Sequence, residues 1–292
     1  RRLGGSATLR LVLSSESSLR DDARAAREFL DSLTAKQAQA TAMPSLLSEQ
    51  HFPAYPQWRA LITQATQAIA AGEMDKVVLA RATDLHFAAP LNAGSIMAAS
   101  RRSNLNCFHF LMAFTPREAF VGSTPERLWR RRGALLRTEA LAGTVASHAD
   151  DRQAQRLGNW LMGDDKNQRE NMLVVEDICQ RLQGETRALE VLPPQIVRLR
   201  KVQHLRRCIW AELDKPDDAR CLHLLQPTAA VAGLPRQVAL DFITRNELFT
   251  RGWYAGSAGY LSLAQSEFCV SLRSAKVENH TLRLTLQIGR AS

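Results

Sequence analysis

The sequence predicts an α+β fold, built as a sandwich of sheets and helices. The chain has 292 residues, 45% of them hydrophobic, which is enough for a sizeable core. Segments with helical and with strand patterns are mixed along it, without the regular alternation that βαβ units produce. Neither GxGxxG nor GxxxxGK[ST] occurs in the sequence. A doubly wound sheet that binds a dinucleotide or a P-loop nucleotide is therefore not indicated.

The first third of the chain contains strands and helices on either side of a proline-containing loop. Apolar residues at three- and four-residue steps, ending before Gly72, predict an amphipathic helix that starts near Trp58. In order, the predicted elements are a strand at 7–13, a helix at 21–33, a loop or linker at 37–56, the amphipathic helix that starts near Trp58, and a strand at 76–87.

The remaining elements continue the mixture of helices and strands. A long helical region at 150–182 is expected to break near Gly163, and Asp165 is a candidate cap for its second half. The other predicted helices span 92–100 and 236–248. The predicted strands are 108–114, 119–122, 135–140, 196–200, 260–263, 267–275 and 280–287.

The cysteines and the apolar segments indicate a cytoplasmic protein without a membrane span. There are five cysteines, an odd number with no CxxC pair, which favours reduced thiols over disulfides or a zinc ribbon. No apolar run reaches the roughly 18–20 residues that a membrane helix needs. Residues 1–8 contain no apolar stretch of the kind found in secretory signals.

The net charge of +9 allows two interpretations. A basic surface can bind nucleic acid, or it can be a solvated face whose field attracts a small polyanion. No RGG run, zinc finger or aromatic RNP pattern is present, so nucleic acid is not expected as a partner. The arginine-rich segments are 127–132 and 198–207.

Two residues are candidates for acid–base chemistry. Lys76 begins an apolar strand, and a desolvated lysine can act as a base where an arginine cannot. It can equally be a solvated residue at a strand end. Glu126 follows an apolar strand in a GSTPER turn, where a buried carboxylic acid could donate a proton. Its alternatives are a carboxylate at a helix start or an ion-pair partner of Arg127.

Further polar residues are candidates for binding an anion or a metal. Glu170, near the start of a helix, could be one ligand of a hard cation such as Mg²⁺, or it could stabilise the helix dipole. Arg273 could bind a carboxylate bidentately or lie on a solvated face. Tyr254 could supply a hydroxyl or be a packed aromatic. Glu139 and Gly143 lie at a strand-to-loop transition that can be a simple turn. Neither HExxH nor GxSxG occurs, so zinc-protease and serine-hydrolase chemistry are not supported.

Seven segments, taken in their order along the chain, resemble the chorismate-utilising enzymes. Within that family they resemble the menaquinone-specific isochorismate synthases. A lysine at position 76 is typical of the branch that activates water, whereas the ammonia-using anthranilate and aminodeoxychorismate synthases generally lack it. The segments that carry the resemblance are GEMDKVVLARA (72–82), GSTPERL (122–128), TEALAGT (138–144), DDKNQRENMLVVEDI (164–178), LQPTAAVAGLPR (225–236), WYAGSAGYLS (253–262) and SEFCVSLRSAK (266–276).

The resemblance implies a fold, a reaction and a set of site residues. The fold would be antiparallel sheets sandwiched with outer helices. The reaction would be Mg²⁺-dependent conversion of chorismate to isochorismate in menaquinone biosynthesis, by a cytoplasmic monomer. Lys76 would remove a proton from water attacking C2, Glu126 would protonate the departing C4 hydroxyl, and Glu170 would help to hold Mg²⁺ against the ring carboxylate. The implied substrate-binding residues are Gly143, Thr144, Tyr254 and Arg273.

The sequence departs from the family pattern after Leu284. Family members continue with a glycine-rich loop and a terminal helix that supplies a further Mg²⁺ ligand, and this chain has neither. The expected organisation is a partial N-terminal region at 1–50 and a chorismate-binding catalytic domain at 51–292, truncated at both ends and lacking the C-terminal loop and helix. Weak metal binding and little activity are therefore expected. An ammonia-using synthase component and an inactive truncated product are the alternatives.

Overall fold

The computed structural model describes residues 18–32 and 42–291, without the side chains of the last two. The chain divides into two compact units, 1–39 and 40–292. The helices are α1 (Leu19–Ser32), α2 (Tyr55–Ala70), α3 (Ala93–Ser103), α4 (Asp151–Gly163), α5 (Asp165–Leu182), α6 (Asp218–Leu225) and α7 (Arg236–Asn246). The strands are β1 (Leu46–Phe52), β2 (Lys76–Phe87), β3 (Phe108–Thr115), β4 (Glu118–Thr124), β5 (Arg127–Arg132), β6 (Leu135–Ala146), β7 (Thr186–Val191), β8 (Gln195–Arg198), β9 (Val202–Leu213), β10 (Gly233–Leu234), β11 (Ser257–Leu261), β12 (Gln265–Val270), β13 (Ser274–Glu278) and β14 (Thr281–Ala291).

The second unit contains two sheets. The first has the order β1-β2-β14-β13-β4-β3, with β10 also paired to β2. The second has the order β11-β12-β5-β6-β9-β7, with β8 also paired to β9. Each strand pairing in the described part of the chain is antiparallel. The prediction of an α+β fold with antiparallel sheets and helices is confirmed.

The first unit is described through α1 alone. The helix is amphipathic, and none of its side chains is buried. Asp21 and Asp22 lie in its first turn, where negative charge complements the helix dipole. The strand predicted at 7–13 and the end of the predicted helix at 33 lie outside the described residues, and the predicted domain boundary at residue 50 stays a prediction.

Strand β2 and the C-terminal end of helix α2 lie where the sequence predicts, whereas α2 begins at Tyr55, three residues before Trp58 and inside the predicted loop. The helix ends at Ala70, and Gly72 follows with a φ of +74° that glycine adopts without strain. Strand β2 begins at Lys76 and contains β-branched and apolar residues that are buried on both faces at its start. The apolar faces of α2 and α7 pack on this strand through Leu61, Ala65, Val77, Leu79, Ala239 and Ile243.

The largest core cluster lies between the second sheet and helices α5 and α6. Trp129 and Leu136 of the sheet are fully buried against Ile178 and Leu182 of α5. Asn171, on the same helix, is also fully buried, and its Nδ2 lies 3.1–3.2 Å from the carbonyl oxygens of Ala140, Ala142 and Leu205. This one amide ties the first turns of α5 to β6 and β9.

The structure also corrects several predicted elements. The helical region breaks near Gly163 as predicted, but Asp164, not Asp165, caps α5, because its carboxylate accepts from the Asn167 backbone N–H at 3.0 Å. The predicted loop at 37–56 contains β1, an exposed edge strand whose polar residues give no apolar period. The predicted strand at 267–275 is interrupted before Ser274, and the last strand continues four residues further, to Ala291.

Candidate active site

One cavity of about 440 Å³ collects the residues that the sequence singled out. Lys76 enters it from the start of β2, Glu126 from the β4–β5 connection, and Glu170 from α5. The full set of predicted catalytic, substrate-binding and metal-binding residues lines it: Lys76, Glu126, Gly143, Thr144, Glu170, Tyr254 and Arg273. The chain thus brings together groups that are up to 197 positions apart in the sequence, although their roles remain predictions.

Lys76 is a buried amine with one close carboxylate. It is 1% exposed, so the alternative of a solvated lysine at a strand end is wrong. Its Nζ lies 3.5 Å from Oε1 of Glu170. Burial lowers the pKa of Lys76, and the negative charge of Glu170 opposes that shift. A neutral amine at the wall of a cavity can accept a proton from a bound molecule.

Glu126 is a buried carboxyl group held in its protonated form. It is 3% exposed and lies in an extended connection, not at a helix start. Burial, reinforced by the neighbouring charge of Glu139, raises the pKa of Glu126 to about 8, against an opposing effect of Lys76. Arg127, its suggested ion-pair partner, instead binds Glu267, with Nη2 at 2.9 Å from Oε1. Glu126 can therefore act as a proton donor near neutral pH.

Glu139 is part of the site's electrostatics, not a simple turn residue. It lies in β6 and is 3% exposed. Its Oε1 accepts from the backbone N–H of Arg127 at 2.9 Å, which fixes the carboxylate beside the Glu126 connection. Its Oε2 lies 3.6 Å from Nη1 of Arg127 and 3.9 Å from Nη1 of Arg206. The negative charge of Glu139 acts on the neighbouring Glu126 and raises its pKa.

Glu170 is the candidate metal ligand, and it offers a single carboxylate. Its side chain is 29% exposed and faces Lys76. In residues 18–32 and 42–291, no group of three or more His, Cys, Asp or Glu side chains could hold a metal ion. Mg²⁺ is commonly held by one or two carboxylates together with water and substrate oxygens. The side chains described here fit such a site in its minimal form, in which the substrate supplies part of the coordination.

Gly143 shapes the wall of the cavity beside α5. Its φ is +85°, and a Cβ at this position would lie 3.2 Å from Oδ1 of Asn167. The same Oδ1 accepts from the backbone N–H of Thr144 at 3.3 Å. A bulge in β6 between Leu141 and Thr144 accompanies this turn. A side chain in place of Gly143 would meet both backbone strain and Asn167.

Tyr254 and Arg273 both line the cavity. Tyr254 is 5% exposed, and its hydroxyl donates to Oε1 of Gln287 at 3.1 Å. Arg273 has a φ of +47°, uncommon for a residue with a side chain, in the connection between β12 and β13. Its Nη2 lies 3.0 Å from Nε2 of His204. Non-glycine residues in this conformation occur more often at functional sites.

His204 and Gln287 line this cavity although neither was predicted from the sequence as a site residue. Nδ1 of His204 lies 2.9 Å from Oγ1 of Thr144, and burial lowers the pKa of this histidine to about 4, reinforced by the charge of Arg273. His204 belongs to β9, which was not predicted although its buried and partly buried positions largely alternate. That alternation was the available signal for His204. For Gln287 the sequence offers no comparable signal.

Several arginines of the arginine-rich segments are bound by other side chains. Arg131 is 4% exposed and pairs with Asp218 at 2.6 Å. Arg198 pairs with Asp151 at 2.6 Å, and Arg207 donates from Nη1 to Asn171 at 2.7 Å. All five cysteines are free thiols. Across the part of the chain that the structure describes, no helix has both the length and the apolar character needed to cross a membrane.

Comparison with known proteins decides the family. Residues 4–286 match the family described as "Chorismate binding enzyme". This chain is a chorismate-binding enzyme. The family resemblance inferred from the seven motifs is thereby confirmed.

Relatives of this chorismate-binding enzyme include two curated bacterial proteins named isochorismate synthase MenF. The Escherichia coli K12 protein is 67% identical over 99% of this chain and 67% of its own length. The Haemophilus influenzae protein is 45% identical over 80% of this chain and 54% of its own length. A solved structure of MenF from E. coli, described as the menaquinone-specific isochorismate synthase, has a TM-score of 0.92 and 66% identity. This match covers 96% of our chain and 65% of that protein. The chain therefore spans about two thirds or less of the relatives it matches.

Proposed function

We propose that this chorismate-binding enzyme has an isochorismate synthase site, which converts chorismate to isochorismate. The observation that carries the proposal is the pairing of a buried lysine whose pKa is lowered with a buried glutamic acid whose pKa is raised to about 8, in one cavity. Environments that push a base and an acid in these directions are typical of acid–base catalysis. Relatives named isochorismate synthase support the choice of reaction.

The base in this proposal is Lys76. The neutral amine takes a proton from a water molecule whose oxygen forms a bond to C2 of the ring. Lys76 is buried and lines the cavity, so the water that it activates lies in the cavity beside the substrate. Glu170, 3.5 Å away, stabilises the ammonium that forms.

The acid in this proposal is Glu126. As the new bond forms at C2, the ring double bonds shift and the bond between C4 and its hydroxyl oxygen breaks. Glu126 donates its proton to that oxygen, which leaves as water. The reaction consumes one water and releases one, and it leaves Lys76 protonated and Glu126 ionised. A positioned general acid of this kind contributes about 10²–10⁴-fold to rate.

The substrate's carboxylates are assigned to two ends of the cavity. Arg273 and Tyr254 bind the enolpyruvyl carboxylate, and the backbone at Gly143 and Thr144 lines the pocket. Glu170 would hold Mg²⁺, which when bound neutralises the ring carboxylate. Since the described residues provide a single carboxylate there, we expect the ion to bind weakly before the substrate. Titration with Mn²⁺ followed by electron spin resonance, with and without chorismate, measures this directly.

The wider setting follows from the same relatives. We propose that the product enters menaquinone biosynthesis, because the structurally similar E. coli enzyme is described as menaquinone-specific. The five free thiols agree with a reducing compartment such as the cytoplasm. We propose further that the chain is monomeric, which sedimentation equilibrium tests.

The deciding experiment combines binding and turnover. Chorismate binding is measured by calorimetry, and isochorismate formation with Mg²⁺ is followed by chromatography. We expect binding and a slow conversion, which Lys76→Ala abolishes while binding persists. Lys201→Ala, a change at an exposed lysine, is the matched control and should behave as the unmodified chain. A chain that neither binds chorismate nor forms isochorismate would overturn the proposal, and ammonia-dependent conversion that survives Lys76→Ala would point to an ammonia-using synthase.

A further inference from the structure

Gln287 lines the same cavity as Tyr254 and Arg273. It lies in β14, where it pairs with Ala80 of β2, and Gly289 pairs with Val78. Gln287 and Gly289 are two residues apart on one strand, so they share the face that lines the cavity. The Gln287 side chain is half-buried, and it is the polar group of this strand that reaches Tyr254.

The Gln287 amide is held at both of its polar atoms. Its Oε1 accepts from the Tyr254 hydroxyl at 3.1 Å. Its Nε2 lies 3.4 Å from the carbonyl oxygen of Ala230, a long and weak contact. A tyrosine hydroxyl has one proton to donate. While that proton lies on Gln287, Tyr254 cannot donate it to a ligand.

We infer that Gln287 competes with the ligand's carboxylate for the Tyr254 hydroxyl and thereby sets how tightly the site binds its anionic substrate. The inference rests on the proposed function and names a further specificity-determining residue of that site. A ligand carboxylate must displace the Gln287 amide before it can accept the Tyr254 proton. The free energy gained from the hydrogen bond between Tyr254 and the ligand is reduced by the loss of the hydrogen bond between Tyr254 and Gln287.

The competition predicts an order of affinities that a purely steric role does not. Gln287→Ala removes the competing oxygen and should raise carboxylate affinity about tenfold. Gln287→Glu keeps the shape but places a carboxylate on Tyr254, which accepts more strongly and repels the ligand. It should therefore lower affinity about tenfold. A steric role would leave glutamine and glutamate nearly equal, because the two side chains have the same size.

The test measures binding of two probes, chorismate and pyruvate, to the full chain by calorimetry. Wild type, Gln287→Ala and Gln287→Glu are compared, each also in a Tyr254→Phe background, which lacks the hydroxyl. Gln50→Ala, at an exposed position of β1, controls for the loss of a strand glutamine. The expected result is the order Ala, Gln, Glu from tightest to weakest. In the Tyr254→Phe background the gain of Gln287→Ala over glutamine should vanish, whereas the charge repulsion by Gln287→Glu remains.

The outcomes separate this inference from the proposed function. If chorismate binds wild type and Gln287→Ala equally, the inference is wrong while the proposed function stands. If pyruvate follows the expected order but chorismate binds to none of the proteins, the inference stands and the proposed function fails. A gain of Gln287→Ala over glutamine that persists in the Tyr254→Phe background, or no gain for Gln287→Ala with either probe, also overturns the inference.

Discussion

Replacement of Glu126 by glutamine tests the buried acid without requiring any catalysis. The folded chain raises the pKa of Glu126 from 4.5 to about 8. Below pH 4.5 the carboxyl is protonated in both the folded and the unfolded chain, so it does not affect their balance. Between pH 4.5 and about 8 the unfolded chain releases the proton and the folded chain retains it. Folding stability is therefore lost as pH rises through this window, and the loss levels off above it.

The size of the effect follows from the width of the window. One pKa unit corresponds to about 1.4 kcal/mol. At pH 7 the unfolded chain has passed its pKa by roughly 2.5 units, which makes the penalty about 3 kcal/mol, an order-of-magnitude value. Glutamine has nearly the same shape as glutamic acid and does not ionise. Glu126→Gln should thus be about as stable as wild type at pH 4.5 and more stable by about 3 kcal/mol at pH 7.

Urea denaturation followed by tryptophan fluorescence measures the difference at several values between pH 4.5 and 8. Comparing the two proteins at each pH cancels, to first order, the titration of all other groups. Glu73→Gln, a change at an exposed carboxylate, controls for the loss of one acidic side chain. A gap between Glu126→Gln and wild type that stays constant with pH would refute the reasoning. So would a variant that is less stable than wild type at pH 7.

Other changes probe the groups around this acid. Glu139→Gln removes a negative charge that acts on Glu126, so the pKa of Glu126 should fall and the alkaline limb of the kcat/KM profile should move to lower pH. Glu139→Asp keeps the charge and should leave the limb in place. An alkaline limb that does not move in Glu139→Gln would contradict the coupling. His204→Ala removes the partner of Arg273 and should weaken chorismate binding about tenfold by calorimetry; unchanged affinity would exclude a positioning role. Asn171→Ala removes an amide that contacts three backbone carbonyls and should lower the free energy of unfolding by about 2–4 kcal/mol in urea, which an unchanged midpoint would disprove.

The fold was predictable where apolar residues follow a clear period. Strand β2 and helix α2 have strong patterns and a glycine at the turn between them, and both were found, with accurate ends except for the start of α2 at Tyr55. Strand β1 was missed because it is an exposed edge strand, and its pairing with β2 uses backbone groups that no side-chain pattern reports. Strand β5 was missed because four of its six residues are arginine, a composition typical of solvated surface.

The site was predictable where a residue belongs to a recognisable motif. Lys76 and Glu126 were found in this way, and their burial could not be known before the sheets were assembled. His204 and Gln287 enter the cavity through strand register. Thr144 pairs with His204 after a bulge in β6, and Gln287 pairs with Ala80. A shift of one residue in either pairing would turn these side chains to the opposite face.

The charges around the two catalytic candidates act in opposite directions on recovery of the starting state after each proposed turnover. The reaction leaves Lys76 with an extra proton and Glu126 without one, so a positive and a negative charge remain in a buried site. Glu170, 3.5 Å from Lys76, makes that ammonium less costly, while the charge of Glu139 makes an ionised Glu126 more costly. Glu170 thus tends to keep the proton on Lys76, and it is the charge of Glu139 that favours reprotonation of Glu126. Burial of both groups strengthens this preference, because separated charges are least stable where water is excluded.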